Sequence, residues 1–137
     1  MKKLFALLLL TMAVPFANAQ QPVSNNDENN EAIFSVVENE PEFPGGVEAL
    51  YKFISKNVVY PKKALKNGIE GKVVVEFVIE ANGSVTNVKV FKSVNPDLDK
   101  EAVRVVSMMP KWKPGSQGGK NVRSRFRIPI NFQLNYN

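Results

Sequence analysis

Neither cysteine nor histidine occurs in this chain of 137 residues. Without cysteine there is no disulfide, no thiol nucleophile and no site for a lipid-modified cysteine. Without histidine the chain lacks the commonest general base and the commonest metal ligand. Glu76 and Glu80 do not replace them, because four strand positions separate them by about 13 Å, whereas glycosidase carboxylates lie roughly 5–9.5 Å apart. These two side chains are predicted to be solvent-exposed. We also predict that the chain is not an enzyme and that it binds no metal or cofactor.

Long apolar runs are also scarce, and the longest lies at the N-terminus. Lys2 and Lys3 precede a largely apolar run over residues 4–17, and Ala17-Asn18-Ala19 offers small residues for cleavage. This pattern is typical of a secretory signal peptide, which we predict over residues 1–19. An uncleaved membrane anchor is the alternative, but the run is shorter than the roughly 20 residues that span a bilayer. Export of a chain without disulfides predicts a location in the bacterial periplasm or in the outside medium, and we expect the periplasm.

Basic residues are missing from one part of the chain and abundant in the rest. Residues 20–50 carry seven acidic and no basic side chains, whereas residues 51–137 carry sixteen basic and six acidic ones. A basic excess can indicate nucleic-acid binding, but an exported protein is not expected to meet nucleic acid. We interpret the excess as a solvated basic surface, and attraction of an acidic peptide or a membrane surface is the second interpretation.

The acidic segment differs in composition from the rest of the mature chain. Residues 20–42 are rich in Asn, Gln, Glu and Asp, and such a segment buries too little apolar surface to offset its ordering entropy. We therefore predict a disordered leader over residues 20–42, within which residues 33–37 could form a short strand or attach to the domain. Pro44-Gly45-Gly46 marks the entrance, and the domain is predicted over residues 43–137.

Periodicity within the domain predicts three helices and three strands. Helical spacing covers residues 47–57, 61–67 and 97–109, the last preceded by the capping pair Asn95-Pro96. Two alternating segments flank Ala81-Asn82-Gly83, which is typical of a β-hairpin turn. The predicted fold class is α+β: a small antiparallel three-stranded sheet, made of the hairpin and a long C-terminal edge strand, with helices packed on one face.

The last predicted strand, residues 122–134, shows the clearest alternation. One face is apolar and the other carries Arg123, Arg125 and Arg127. Because proline cannot donate to a strand ladder, Pro129 predicts that this strand lies at the edge of the sheet. The arginines could prevent edge-to-edge aggregation, or they could favour an acidic partner that adds to the edge as a strand. The pattern leaves both open. A second proline at Ile128 or Ile130 is expected to block such a partner.

Four short motifs succeed one another at a specific spacing. They are Tyr60-Pro61 with Ala64, Gly68-Ile69-Glu70-Gly71, Asn82-Gly83-Ser84-Val85 and Trp112-Lys113-Pro114-Gly115. Together with the valine-rich strand between the second and third motifs, their order resembles the C-terminal domain of TonB energy transducers. The resemblance covers about residues 60–134.

That resemblance implies a periplasmic domain that binds the N-terminal Ton box of outer-membrane receptors. The Ton box would add a strand beside residues 122–134, while inner-membrane motor subunits use the proton gradient to drive transport. By position, the resemblance implies a partner-binding set on the last strand and its approach loop: Gln117, Lys120, Arg123, Arg125, Arg127, Ile128, Ile130 and Asn131.

Two features depart from the family. Full-length transducers have a membrane-spanning anchor with a histidine and a long proline-rich spacer, whereas this chain has no histidine, and residues 20–42 contain only Pro22 and Pro41. Two hypotheses are open. The chain is a transducer domain that supports transport, reaching a motor complex through another, anchored protein. Alternatively it is a soluble periplasmic interaction or regulatory module that binds a different peptide, or forms a homodimer through its edge strand, without energy transduction.

Overall fold

The computed structural model describes residues 32–135, so the predicted signal peptide and the first part of the leader lie outside the described residues. Within residues 32–135, no helix is long and apolar enough to cross a membrane. The helices predicted from periodicity are confirmed, with ends that differ by one or two residues. The elements are α1 (Gly46–Asn57), α2 (Lys62–Lys66), α3 (Pro96–Ser107), β1 (Ile33–Phe34), β2 (Gly71–Ile79), β3 (Val85–Lys92), β4 (Ser116–Gln117), β5 (Lys120–Asn121) and β6 (Arg123–Phe132).

The main sheet has four strands in the order β1-β6-β2-β3. β2 lies at its centre and runs antiparallel to both β3 and β6. β1 runs parallel to β6 and pairs only with Arg123 and Ser124. The prediction of an α+β fold is therefore confirmed, but the prediction of three antiparallel strands is wrong, because the leader supplies a fourth, parallel strand.

The end of the leader is attached to the domain at three places, which we describe together as the strap (residues 33–42). The first is β1, where Ile33 is 1% exposed. Asn39 then exchanges backbone hydrogen bonds with Ser116, and Glu42 exchanges them with Lys113. Within the predicted disordered leader, the strap is ordered, and the alternative that residues 33–37 form a short strand is confirmed at Ile33 and Phe34. The domain boundary at residue 43 stays a prediction.

The helices pack on one face of the sheet, as predicted. On this face β2 contributes side chains that are completely buried: Val73, Val75, Phe77 and Ile79. Trp112 links the parts of the core, since its ring centroid lies 5.5 Å from that of Phe43, 5.7 Å from that of Phe77 and 5.2 Å from that of Phe126. The residue that follows the strap, the central strand and β6 therefore share one aromatic cluster.

The helix ends are explained by local capping chemistry. The side chain of Asn95 accepts hydrogen bonds from the backbone N–H groups of Asp97 and Leu98, and Pro96 takes the first helical position of α3. The first backbone N–H groups of a helix have no acceptor within the helix. The oxygen of Asn95 accepts from two of them, and Pro96 has no N–H that would need an acceptor. This confirms the predicted start of α3.

The hairpin turn between β2 and β3 rests against the segment that contains Trp112. Gly83 adopts a φ of +91°, and its carbonyl accepts a 2.8 Å hydrogen bond from the N–H of Trp112. A Cβ atom at Gly83 would lie 2.1 Å from the carbonyl oxygen of Trp112. Only glycine fits this turn, both because of its conformation and because of the close backbone approach.

Candidate functional site

The two sides of β6 are occupied to very different extents. One side pairs with β2 along all nine residues of β2. On the other side, the pairing to β1 ends at Ser124. Within the part of the chain that the structure describes, no strand pairs with this side of residues 126–131. We call residues 126–131 the open edge; the predicted edge strand is confirmed there and wrong at Arg123 and Ser124.

Pro129 determines which backbone groups face outward along the open edge. The ladder between β6 and β2 continues without a break through the pair of Val74 and Pro129. Since proline has no N–H to donate, its nitrogen must face away from β2. Backbone groups alternate along a strand, so the N–H and C=O groups of Arg125, Arg127 and Asn131 also face outward. Arg125 adjoins the end of β1, so the open edge presents two residues that can both donate and accept, Arg127 and Asn131, with a gap in the donors at Pro129.

The same alternation separates the predicted site residues into two groups. The main-chain groups of Arg125, Arg127 and Asn131 face outward. Ile128 and Ile130 do not, because their main chain faces β2 and their side chains are 5% and 1% exposed in the core. These two isoleucines hold β6 in place and have no backbone group available to an added strand.

The remaining predicted site residues are engaged by other parts of the domain. The outer side of Arg123 is taken by β1. Gln117 pairs with Lys120 in the small β4–β5 ladder, and the side-chain oxygen of Gln117 accepts a 2.9 Å hydrogen bond from the backbone N–H of Glu38. The strap, whose role the sequence did not reveal, therefore holds the segment expected to be the approach loop.

The helix-free face of the sheet carries a network of ion pairs beside the open edge. Glu76 is only 7% exposed, and its carboxylate oxygens lie 2.9 Å from Arg127, 3.4 Å from Lys89 and 3.9 Å from Arg125. The guanidinium of Arg127 also lies 3.6 Å from the ring centroid of Phe91. Three cations thus surround one carboxylate, which leaves positive charge in excess on this face.

Glu80 belongs to the same face. Its carboxylate is 2.7 Å from Nε of Arg123, whose side chain is 3% exposed. The prediction of two solvent-exposed glutamates is wrong for Glu76 and incomplete for Glu80. They serve as partners of the arginines on β6, and no group of metal-binding side chains occurs among residues 32–135.

The network makes stability depend on pH. Burial alone would raise the pKa of Glu76, but hydrogen bonds from Arg127 and Lys89 outweigh it, so the pKa lies below its ordinary value of 4.5. A lowered folded-state pKa contributes stability that is complete above the ordinary value and is lost as the pH falls through the folded-state pKa. The acid limb of the stability profile therefore contains a contribution from this carboxylate.

We expect the Glu76→Gln variant to be less stable at pH 7 by about 1–2 kcal/mol and to lose less stability than the wild type on acidification below pH 4.5. Urea unfolding between pH 3 and pH 7 measures both effects. Glu40→Gln, which removes an exposed carboxylate from the strap, controls for the loss of one negative charge. Parallel acid limbs for the wild type and Glu76→Gln would contradict a stabilising role of the ion pairs.

Comparison with known proteins places this domain among described families. The profile described as Gram-negative bacterial TonB protein C-terminal matches residues 56–134. The chain is 40% identical to Protein TonB of Xanthomonas campestris pv. campestris (strain B100) over 79 residues, 56% of this chain and 34% of the relative. It is 53% identical to Protein TonB of Helicobacter pylori (strain J99) over 45 residues, 33% of this chain and 16% of the relative. The chain therefore spans about a third or less of these relatives.

A solved structure is similar as well. The solution structure of the Helicobacter pylori TonB C-terminal domain superimposes with a TM-score of 0.50 at 32% identity, covering 64% of this chain and 79% of that domain. The region matched by the family profile contains β6 and the whole open edge. It does not contain the strap, which is therefore a feature that this chain has outside the matched region.

Proposed function

Because the chain belongs to the TonB C-terminal family, we propose that it acts as a TonB-like domain in the periplasm and binds the Ton-box segment of outer-membrane receptors. Binding would occur by strand addition at the open edge and would support energy-dependent transport. The observation that carries this proposal is the row of outward-facing backbone groups at Arg127 and Asn131, beside which no strand pairs among residues 32–135. Edge pairing supplies affinity through main-chain hydrogen bonds.

The charges beside the open edge support a partner with acidic residues. Side chains that lie next to each other on adjacent strands interact directly. An added strand would place alternate side chains beside Arg125 and Arg127, on the face where three cations surround Glu76. Acidic residues at those positions of the partner would be stabilised, and basic ones would be disfavoured.

The matched region is only part of the relatives, so the connection to an energy source belongs to the proposal. We propose that force reaches the domain from an inner-membrane motor complex through another, anchored protein. The alternative is a periplasmic interaction module that uses the same edge for a different peptide or for a second copy of the chain. An edge with unpaired donors and acceptors favours both kinds of occupant.

The test is a titration of the protein with Ton-box peptides from the receptors of its own host, followed by backbone amide NMR. Shifts concentrated at residues 126–131, absent with a peptide of scrambled sequence, are the expected result. The absence of shifts at millimolar peptide would contradict Ton-box binding. Sedimentation of the free protein over a range of concentrations distinguishes the homodimer from a peptide-binding monomer. Only pairing between two copies makes the molecular mass of the free protein rise with concentration.

A further inference from the structure

The strap and the start of the open edge enclose a groove of about 300 Å³. Val36, Val37 and Pro41 line it from the strap, and Arg125 and Phe126 line it from β6. We call it the strap groove. It begins where the pairing between β1 and β6 ends, since β1 covers the strand only as far as Ser124.

The lining of the strap groove is mixed, and its apolar members are Val36, Val37, Pro41 and Phe126. Val36 is 84% exposed, the largest fraction among the exposed large apolar residues within residues 32–135. Phe126 is partly buried, with its ring against Phe77 and Trp112. A single exposed valine is ordinary on a protein surface. Val36 contributes to a contact surface because it lies near the half-buried Phe126 and the open edge.

A strand added to the open edge would meet this groove at one end. β1 already occupies the edge at Arg123 and Ser124, so an added strand that runs along β6 toward its N-terminus has to stop where β1 ends. Side chains of adjacent strands share the same face, so those on the helix side would lie beside Phe126. The terminal one of these would enter the strap groove.

We propose that the strap determines specificity: it ends the partner strand where β1 ends and receives one apolar side chain of the partner in the strap groove. This inference rests on the proposed strand addition. The strap lies outside the region matched by the family profile, whereas the β6 side of the groove lies inside it.

The charges around the groove narrow the range of sequences expected for the partner. Glu38 and Glu40 lie on its strap side, and their carboxylates disfavour an acidic side chain there by like-charge repulsion. On the opposite face of the sheet, the cations around Glu76 favour an acidic side chain of the partner. The partner is therefore an extended segment with acidic residues beside the arginines and an apolar residue at the end nearest the strap.

The test is a thermodynamic cycle between Val36 and the peptide. Each apolar residue of a Ton-box peptide is replaced by serine in turn, and the affinity of every peptide is measured for the wild type and for Val36→Asp. We expect Val36→Asp to weaken the parent peptide about tenfold, as for one lost apolar contact. One serine peptide should bind the wild type and Val36→Asp with equal affinity, because it no longer has the side chain that the groove receives.

Val59→Asp provides the matched control. Val59 is 63% exposed, and its N–H donates to Glu101 of α3, a helix that packs against β3 at the other edge of the sheet. This variant should bind all peptides as the wild type does. Since Val36 is exposed, both variants should show wild-type unfolding in urea.

The possible outcomes separate this inference from the proposed function. Equal weakening of all peptides by Val36→Asp, or no weakening, would overturn the role of the strap groove while leaving strand addition intact. Binding of no peptide by the wild type would overturn both. A mass that rises with concentration in the wild type and not in Val36→Asp would identify a second copy as the occupant of the groove and overturn the peptide assignment.

Discussion

Proline at Ile128 is expected to disrupt the sheet, whereas proline at the neighbouring Arg127 is expected to leave the domain folded and abolish partner binding. The N–H of Ile128 faces β2, and its side chain is in the core. Ile128→Pro therefore removes a ladder hydrogen bond and core packing together, at a cost of about 3 kcal/mol or more. Urea unfolding measures this cost directly.

At Arg127 the N–H faces away from β2, so proline there leaves the ladder with β2 intact. It removes a donor that an added strand would use, together with the side chain that pairs with Glu76. Arg127→Ala is the matched control, because it loses the same side chain and keeps the N–H. We expect Arg127→Pro to bind a Ton-box peptide at least about tenfold more weakly than Arg127→Ala, the loss expected from a main-chain hydrogen bond and a steric block.

Either half of this experiment can fail separately. Equal peptide affinities for Arg127→Pro and Arg127→Ala would contradict strand addition at the open edge. Wild-type stability of Ile128→Pro would mean that the backbone orientation assigned from Pro129 is wrong.

Alanine at Gly83 should produce the second large effect, a loss of stability of about 3 kcal/mol. The new Cβ would lie 2.1 Å from the carbonyl oxygen of Trp112, so either the turn or the Trp112 segment has to move. Movement weakens the hydrogen bond from Trp112 to Gly83 and disturbs the aromatic cluster beside it. Unfolding in urea and the intrinsic fluorescence of the tryptophan report the two consequences.

Gly119→Ala is the control for the positive φ alone. Gly119 has a φ of +79°, and no neighbouring heavy atom lies within 4 Å of the position of its Cβ. It should lose only about 1 kcal/mol, the cost of placing alanine in a left-handed conformation. If both variants lose the same stability, the contact between the hairpin turn and Trp112 does not stabilise the domain.

The elements that the sequence predicts well are those with local causes. The start of α3 is set by Asn95 and Pro96, whose capping groups act within one helical turn. The core face of β2 is set by strict alternation, which assigns Val73, Val75 and Phe77 to one side. Neither conclusion requires knowledge of which distant segment packs against the element.

β1 was predicted only as one alternative for residues 33–37, because it has no comparable local cause. It consists of two residues that pair with β6 about 90 residues later in the chain, and its surroundings have the composition of a disordered segment. Its order arises from burial of Ile33 and from pairing to a strand edge, both of which depend on tertiary structure. Composition averaged over the leader conceals such a contribution.

The network around Glu76 had a signal in the sequence that alternation alone does not use. Glu76 and Glu80 are four residues apart on one strand, and Arg123 and Arg127 are four residues apart on another. In one antiparallel register, Glu76 lies beside Arg127 and Glu80 lies beside Arg123. The structure has this arrangement. Treating the glutamates alone led to the prediction of solvent exposure.

Pro129 contained more information about the site than the prediction drew from it. It indicated an edge, which is correct for residues 126–131. The same proline also requires the backbone groups of the odd-numbered residues to face outward, so Ile128 and Ile130 offer no backbone hydrogen bond to an added strand. This distinction follows only when alternation is applied to the backbone groups as well as to the side chains.

The position of β6 between β1 and β2 also governs the order in which the domain can fold. β6 comes after all other described strands in the chain, yet it pairs with both the first strand and the central one. In a chain that emerges with its N-terminus first, β1 has no partner and β2 pairs only with β3 until residues 123–132 are present. Such distant pairing delays folding, because a long loop must close before the contact stabilises it. The sheet is therefore completed in one late step, after residues 123–132 are present.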